Sequence, residues 1–217
     1  QALQKEAAYF LQLVIDFSKR VFELNHLNNG QTAVFLKKPA EEQYEFIKHL
    51  HGDMLAFYVK QQSAQLQPEE ALHLQRLISS VRNGMYAAKS MKDASFDAVL
   101  LRNSSNDKKF KHYKESREET SRLLTGVNNL LLQQKTAQTA GVLIQLYKQI
   151  IQQYTHELQE LYRQSSIEHL SETEISTIIN YNRELYTAYK SLMLATKDLL
   201  LNEQEAAQFD ELPGFIR

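Results

Sequence analysis

One long helical segment constrains the fold of this chain more than any other feature. The run from Gln67 to Leu101 contains a single proline, Pro68, which suits the first position of a helix because that position needs no amide hydrogen. Glu69 and Glu70 follow in the first turn, where the helix dipole favours negative charge. Apolar residues at three- and four-residue steps predict one buried stripe: Ala71, Leu74, Ile78, Val81, Met85 and Ala88. The segment therefore predicts a long helix with one face covered by its neighbours.

Small side chains in the middle of this segment predict a close contact with another helix. Glycine within a helix lowers its stability by about 1 kcal/mol relative to alanine, and Gly84 lies near the centre of the run. Ala87 and Ala88 follow it closely. We therefore expect a neighbouring helix to approach the backbone at Gly84.

The composition predicts an all-α fold. Three prolines and six glycines among 217 residues leave long stretches without helix breakers, and the one candidate strand, Ala33 to Leu36, is too short to define a sheet. A chain of this length buries roughly 70% of its unfolded surface without needing a disulfide or a metal ion. The absence of cysteine excludes disulfides, thiolate metal sites and a cysteine nucleophile.

Hydrophobic periodicity divides the chain into six long helices. We expect Asn28, Asn29 and Gly30 to end the first helix, and the apolar linker residues near Phe35 to cover the bundle. The turn-forming cluster from Asn103 to Asp107 divides the chain near its midpoint. The predicted helices run from Ala2 to about Leu27, Pro39 to about Ala64, Gln67 to Leu101, Asn106 to Gln134, Thr139 to Arg163 and Ser171 to about Glu203.

The sixth predicted helix has a clear start signal. No helix is predicted after it. Ser171 and Glu174 have the spacing of a capping box, while Leu170 and Ile175 occupy the two positions of a hydrophobic staple. The acidic tail from Glu205 onward is expected to be loose, apart from Phe215.

The third and sixth helices carry related sequences. Arg82-Asn83 and the run from Ala87 to Asp93 resemble the corresponding helix in the soluble C-terminal region of bacterial sodium/phosphate cotransporter proteins, a region that is PhoU-like. A related run, Leu194-Ala-Thr-Lys-Asp198, resembles Lys89-Ser-Met-Lys-Asp93 and ends in the same Lys-Asp pair. This similarity indicates an internal duplication. The resemblance implies two antiparallel three-helix bundles, residues 1–103 and residues 104–217, which together form one PhoU-like domain.

The resemblance also identifies four positions at which a metal site would be expected. In PhoU, the third helix of each bundle carries a Glu-Arg-Ile-Gly-Asp type motif whose carboxylates bind metal clusters. Asp93 and Asp198 match the second acid of that motif, whereas Lys89 and Leu194 replace the first acid. Because hard cations need several oxygen ligands around one point, we expect this degenerate motif to hold no metal, and we expect no cofactor.

Other candidate sites are incomplete in the sequence. Glu70 and His73 form one Glu-x-x-His motif, but a di-iron bundle needs two such motifs and two further glutamates. His49 and His51 are two residues apart and point to different sides of a helix. Neither a Gly-x-Ser-x-Gly elbow nor a phosphate-binding glycine loop occurs, so we expect no enzyme activity. Six tyrosines are expected to pack with their hydroxyls reaching the surface: Tyr147, Tyr154, Tyr162, Tyr181, Tyr186 and Tyr189.

Charge and hydropathy narrow the possible partners. Twenty-five basic and twenty-six acidic residues give a net charge of −1, which disfavours nucleic-acid binding. No apolar run reaches the roughly 18 residues of a membrane span, so we expect no direct membrane insertion by this segment. Since the chain opens with Gln1, we expect any membrane part to lie outside it.

The resemblance implies a regulatory or interaction domain of a sodium-dependent phosphate transporter, at the cytoplasmic face of the inner membrane. Its partner would be the transmembrane part of that transporter, and a homodimer is possible. Two alternatives stay open: a free-standing PhoU-type regulator of phosphate uptake, and a metal-dependent helical-bundle protein. Hydrophobic spans upstream of Gln1 would rule out the first alternative.

Overall fold

The computed structural model describes residues 2–24, 33–62, 66–133, 135–165 and 171–213. These ranges contain eight α-helices and no strand, which confirms the all-α prediction. The prediction of six helices is wrong, because two short helices accompany the six long ones. The helices are α1 (Ala2–Val21), α2 (Ala33–Leu36), α3 (Ala40–Gln62), α4 (Pro68–Arg102), α5 (Asp107–Leu132), α6 (Thr139–Ser165), α7 (Glu172–Leu200) and α8 (Glu203–Asp210).

Helix α4 is the long helix predicted from Gln67 to Leu101. The Gln67 amide donates to Glu70 Oε2 at 3.1 Å, which satisfies one of the unpaired amides at the helix start. Most of the predicted stripe is buried, but Ala71 is exposed. The Arg76 guanidinium contacts the carbonyl of Leu201, the residue that follows α7.

Helix α1 crosses α4 at Gly84. A Cβ atom on this glycine would lie 2.6 Å from Leu11 Cδ2 and 2.9 Å from Phe10 Cε1, distances shorter than van der Waals contact. Both contacting side chains belong to α1 and are fully buried. The close approach predicted at Gly84 is therefore confirmed.

Helix α1 ends at Val21, earlier than predicted. Glu23 has a φ of 54°, a left-handed conformation that a continuing helix cannot contain. The amide of Leu24 donates to the carbonyl of Lys19 at 2.8 Å and closes the turn. The predicted stop at Asn28, Asn29 and Gly30 lies outside the described residues.

Helix α2, Ala33–Leu36, forms from the short apolar run that is too short to define a sheet. Phe35 is buried, and its ring centroid lies 5.8 Å from that of Phe46, so the expected cover over the bundle is confirmed for this residue. Val34 is exposed. The side-chain amide of Gln43 donates to the carbonyls of Phe35 at 3.2 Å and Lys38 at 3.1 Å, and thereby anchors the end of α2 on α3.

Helices α4 and α7 pack antiparallel along most of their length and form the most extensive helix pair of the fold. The Ser80 hydroxyl donates to the carbonyl of Ala195 at 2.8 Å across this contact. Helix α1 contacts α3 and α4, and it also reaches α5 and α7. Phe22, just after α1, stacks on Tyr113 of α5 with ring centroids 6.2 Å apart. The buried core is thus continuous across the midpoint of the chain.

The start of α7 agrees with the sequence, whereas the tail does not. The Ser171 amide donates to Glu174 Oε2 at 3.0 Å and the Glu174 amide donates to Ser171 Oγ at 3.3 Å, which confirms the capping box. Leu170 and Phe215 lie outside the described residues. The expectation of a loose tail from Glu205 is wrong: α8 forms there because its Phe209 is fully buried against Tyr147, with ring centroids 5.2 Å apart.

None of the described helices combines the length and the apolar character needed to cross a lipid bilayer.

Candidate functional site

The four positions taken from the metal motif do not come together. Leu194 and Asp198 lie on α7 and line a cavity of about 570 Å³ between α4 and α7. Asp93 is exposed on α4 and lines a different hollow, together with Lys92 and Phe96. Lys89 is also exposed on α4 and lines neither of these cavities.

Asp198 takes part in a polar network between α4 and α7. The Ser79 hydroxyl donates to Asp198 Oδ2 at 2.6 Å, and the Asn83 amide donates to the same oxygen at 3.3 Å. Lys197 Nζ lies 3.2 Å from Asp198 Oδ1 and 2.8 Å from Asp210 Oδ1. Both carboxylate oxygens of Asp198 therefore have protein partners. This network connects α4 with α7, and Lys197 extends it to the end of α8.

The residues of the other candidate motifs lie apart or serve local structure. Glu70 accepts the helix-start amide described above, while His73 is exposed. His49 is also exposed. His51 is partly buried, with its ring centroid 6.2 Å from that of Phe10, and burial followed by the nearby Arg82 charge lowers its pKa. The two histidines thus lie on different sides of α3, as their spacing predicts. Within the described ranges, no group of three or more His, Cys, Asp or Glu side chains converges on a metal position.

A polar cavity between α5, α6 and α7 was not predicted from the sequence. Its volume is about 620 Å³, and its lining includes His112 of α5, Glu157 of α6 and Asn182 of α7. A small hollow of about 10 Å³ adjoins it and shares Glu157 and Asn182 with it. Glu119 and Tyr189 line only this inner hollow.

Glu119 has the most strongly raised pKa among the carboxyl groups of this region. Burial, reinforced by the Glu157 carboxylate, raises the pKa of Glu119 to about 8, although Arg122 opposes this shift. Desolvation of a carboxylate and a like charge nearby both favour the neutral acid. The neutral acid of Glu119 is therefore favoured at pH values where an ordinary glutamate is ionised.

Buried hydroxyl pairs surround this region. Tyr181 and Ser116 have their hydroxyl oxygens 2.7 Å apart, and Tyr189 and Thr120 have theirs 2.5 Å apart. The expectation that these two tyrosine hydroxyls reach the surface is wrong, because polar residues of α5 at core positions bind them inside the protein. Tyr147 is likewise fully buried, whereas Tyr162 is 63% exposed, so its ring does not pack in the core, although its spacing predicts that it does.

The sequence contains a partial signal for this polar interior. Ser116 and Thr120 are four residues apart, so they share a helix face with the apolar residues that follow. Small hydroxyl side chains on a core face indicate buried polar partners, and the tyrosines of α7 supply them.

Comparison with known proteins adds no further assignment. No protein family model, no curated protein and no solved structure matches this chain.

Proposed function

We propose that this chain is a regulatory and interaction module, the soluble part of a sodium-dependent phosphate transporter at the cytoplasmic face of the inner membrane. The transmembrane part of the transporter would be its partner. In this proposal the domain is PhoU-like, with α1, α3 and α4 in one antiparallel bundle and α5, α6 and α7 in the other. The contacts among α1, α3 and α4 and the pairing of α6 with α7 support this grouping, whereas α5 contacts α1 and α4 more than α6 and α7, and the α4–α7 pair joins the two groups.

An exposed apolar surface on α4 carries the proposal of an interaction role. Phe96, Val99 and Leu100, which we call the α4 patch, expose 70%, 44% and 48% of their surface. Their spacing of three and four residues places them next to one another on the helix. Contiguous exposed apolar side chains characterise protein contact surfaces. The α4 patch is thus suited to contact a partner.

The environment of Asp198 supports a role without catalysis. Of the two motif positions in α7, Leu194 and Asp198, only Asp198 has a carboxylate that could bind a cation. It instead accepts hydrogen bonds from Ser79 and Asn83 and pairs with Lys197. A carboxylate with these partners stabilises the α4–α7 contact, and the proposal assigns it that structural role.

Deletion of residues 1–217 from the full-length transporter tests the proposal. Sodium-driven phosphate flux should survive the deletion with altered rate or regulation, because the module carries no ions itself. Loss of all flux at normal membrane abundance would mean that the domain supplies part of the transport pathway. Unchanged flux and unchanged phosphate response would eliminate the regulatory role.

Point variants locate the contact surface. Phe96→Ser combined with Leu100→Ser should reproduce the effect of the deletion, because both changes remove apolar area without touching the core. Tyr162→Ser on α6 is the matched control, since Tyr162 is 63% exposed and lies outside the α4 patch. Equal effects of both variants would argue against the α4 patch as the contact. A reading frame without membrane-spanning segments would favour the free-standing regulator instead.

A further inference from the structure

The cavity between α5, α6 and α7 has the size of a small-molecule site. Its volume of about 620 Å³ lies in the range of roughly 300–1,000 Å³ that is usual for such sites. It shares Glu157 and Asn182 with the inner hollow. At about 10 Å³, that hollow accommodates one group of the size of a water molecule.

Asn182 presents an unused hydrogen-bond donor at the junction of the two spaces. The residue is 2% exposed, and its Oδ1 lies 2.7 Å from His112 Nε2. Because an amide oxygen only accepts, His112 donates from Nε2 in this contact. The Nδ2 group of Asn182 has no partner in the protein. A buried donor without a partner is costly, so an acceptor on a bound molecule would stabilise it.

Two carboxyl groups meet the same inner hollow. Glu119 of α5 and Glu157 of α6 both line it, and Glu157 also accepts a hydrogen bond from Gln153 at 3.0 Å. The rings of Tyr154 and Tyr186 stack beside them with centroids 4.2 Å apart. Carboxylates and aromatic rings both attract organic cations.

We propose that this cavity binds a small primary amine with an oxygen next to its ammonium group. The ammonium lies between Glu119 and Glu157, and the neighbouring oxygen accepts a hydrogen bond from Asn182 Nδ2. The three N–H donors of an ammonium match two carboxyl groups, and its size matches the inner hollow. The rest of the molecule occupies the larger cavity. This inference does not depend on the proposed transporter function.

Binding of such an amine has a protonation signature. The ammonium favours the charged form of Glu119, so the raised pKa of this group must fall when the ligand binds, and a proton is released. The titratable and charged groups that influence Glu119 or line the inner hollow come from all three helices: Arg122 of α5, Glu157 and Tyr154 of α6, and Tyr186 and Tyr189 of α7. The larger cavity adds Lys108, Lys109, Lys111, His112, Glu115 and Glu118 of α5 and His156 and Glu160 of α6, so its acidic and basic groups are mixed. Glu157 is the carboxylate that raises the pKa of Glu119, and the ammonium neutralises it as well.

Carbon-13 NMR titration of the glutamate carboxyl groups tests the proposal with ethanolamine as the probe. Ethanolamine should lower the pKa of Glu119 and shift the side-chain amide signal of Asn182 in a saturable way. Ethylamine lacks the oxygen and should bind more weakly, and ethylene glycol lacks the ammonium and should cause neither change. Sodium chloride at matched ionic strength is the control for screening. An equal effect of the salt, or the absence of saturation, would overturn the proposal.

Three variants identify the contacts. Glu119→Gln keeps the side-chain shape and should weaken ethanolamine binding about tenfold or more, because a charged partner is lost. Asn182→Leu should remove the preference for ethanolamine over ethylamine. Glu6→Gln is the control: it changes an exposed carboxyl group of α1 that lines neither the cavity nor the inner hollow, and it should change affinity less than about twofold.

Helical circular dichroism checks that each variant is folded. If Asn182→Leu does not fold, the comparison of Glu119→Gln with Glu6→Gln still decides the result. Unchanged ethanolamine affinity in a folded Glu119→Gln protein would refute the assignment.

Discussion

Gly84 lies at the tightest contact between α1 and α4, where two side-chain tips of α1 fill the space that a Cβ atom would need. We predict that Gly84→Leu lowers the free energy of unfolding by about 1–3 kcal/mol, because overpacking displaces Phe10 and Leu11. The shift of the urea midpoint measures this change. The expected effect exceeds the gain in helix propensity that leucine brings.

Gly52 provides the matched control for this prediction. It also lies inside a helix, α3, but a Cβ atom there would meet nothing within 4 Å. Gly52→Leu should therefore leave stability unchanged or raise it by up to about 1 kcal/mol. An unchanged midpoint for Gly84→Leu would show that α1 adjusts without cost.

Glu119 should make stability depend on pH. Its pKa is about 8 in the folded protein and 4.5 in an ordinary environment, so the folded chain binds more protons between these values. The free energy of unfolding should then fall as the pH rises from about 5 to about 9, by up to about 5 kcal/mol for a pKa change from 4.5 to about 8. Urea unfolding at several pH values measures the slope.

The variant Glu119→Gln should flatten this slope, because the amide cannot ionise. Glu118→Gln, one residue earlier and exposed, should leave the slope as it is in the parent protein. If the parent and Glu119→Gln lose stability equally over this pH range, other groups cause the loss.

Helix α8 depends on one side chain for its attachment. Phe209 is fully buried against Tyr147, whereas most other residues of this eight-residue helix are polar or exposed. We predict that Phe209→Ala lowers the free energy of unfolding by about 3–5 kcal/mol, the usual loss for a buried phenylalanine. Phe96→Ala is the control, since Phe96 is 70% exposed and should have little effect on the urea midpoint.

A much smaller loss in Phe209→Ala would have a different meaning. It would show that α8 detaches by itself while the remaining helices keep their packing. Hydrogen exchange of the α8 amides would then show loss of protection confined to that helix.

Helix starts were more predictable than helix ends and short helices. Pro68 and the pair Ser171 and Glu174 mark starts through local chemistry, which the sequence contains directly. The end of α1 depends on the left-handed conformation of Glu23, a residue type that gives no such signal. Helix α8 is too short for a periodic pattern. Its buried residue Phe209 could be recognised only once the position of Tyr147 is known.

The candidate sites were predictable to different degrees. Resemblance led to Asp198, but it did not indicate the partners Ser79 and Asn83, which come from a distant part of the chain. Glu119 and Asn182 were missed entirely. Their juxtaposition depends on how α5, α6 and α7 are rotated about their axes, and periodicity defines only which face of each helix is apolar.

The continuous core of the molecule predicts joint unfolding of its two halves. Helix α4 packs along α7, and Phe22 of the first half stacks on Tyr113 of the second. Separation of the halves would expose both contacts to water. We therefore expect a single thermal transition in which helical circular dichroism and tyrosine fluorescence change together, with calorimetric and van't Hoff enthalpies equal. Two resolved transitions would instead identify independently folding halves.

The buried hydroxyl pairs of α5 and α7 give the protein a built-in optical probe. The chain contains eleven tyrosines and no tryptophan, so its near-ultraviolet spectrum comes from tyrosine almost alone. Burial raises the pKa values of Tyr181 and Tyr189 well above the usual range for a phenol. Burial also raises the pKa values of Tyr58 and Tyr147. These four rings can become tyrosinate at moderately alkaline pH only after the helices around them separate. Stopped-flow absorbance after a jump to alkaline pH would therefore time the opening of the core without any attached dye.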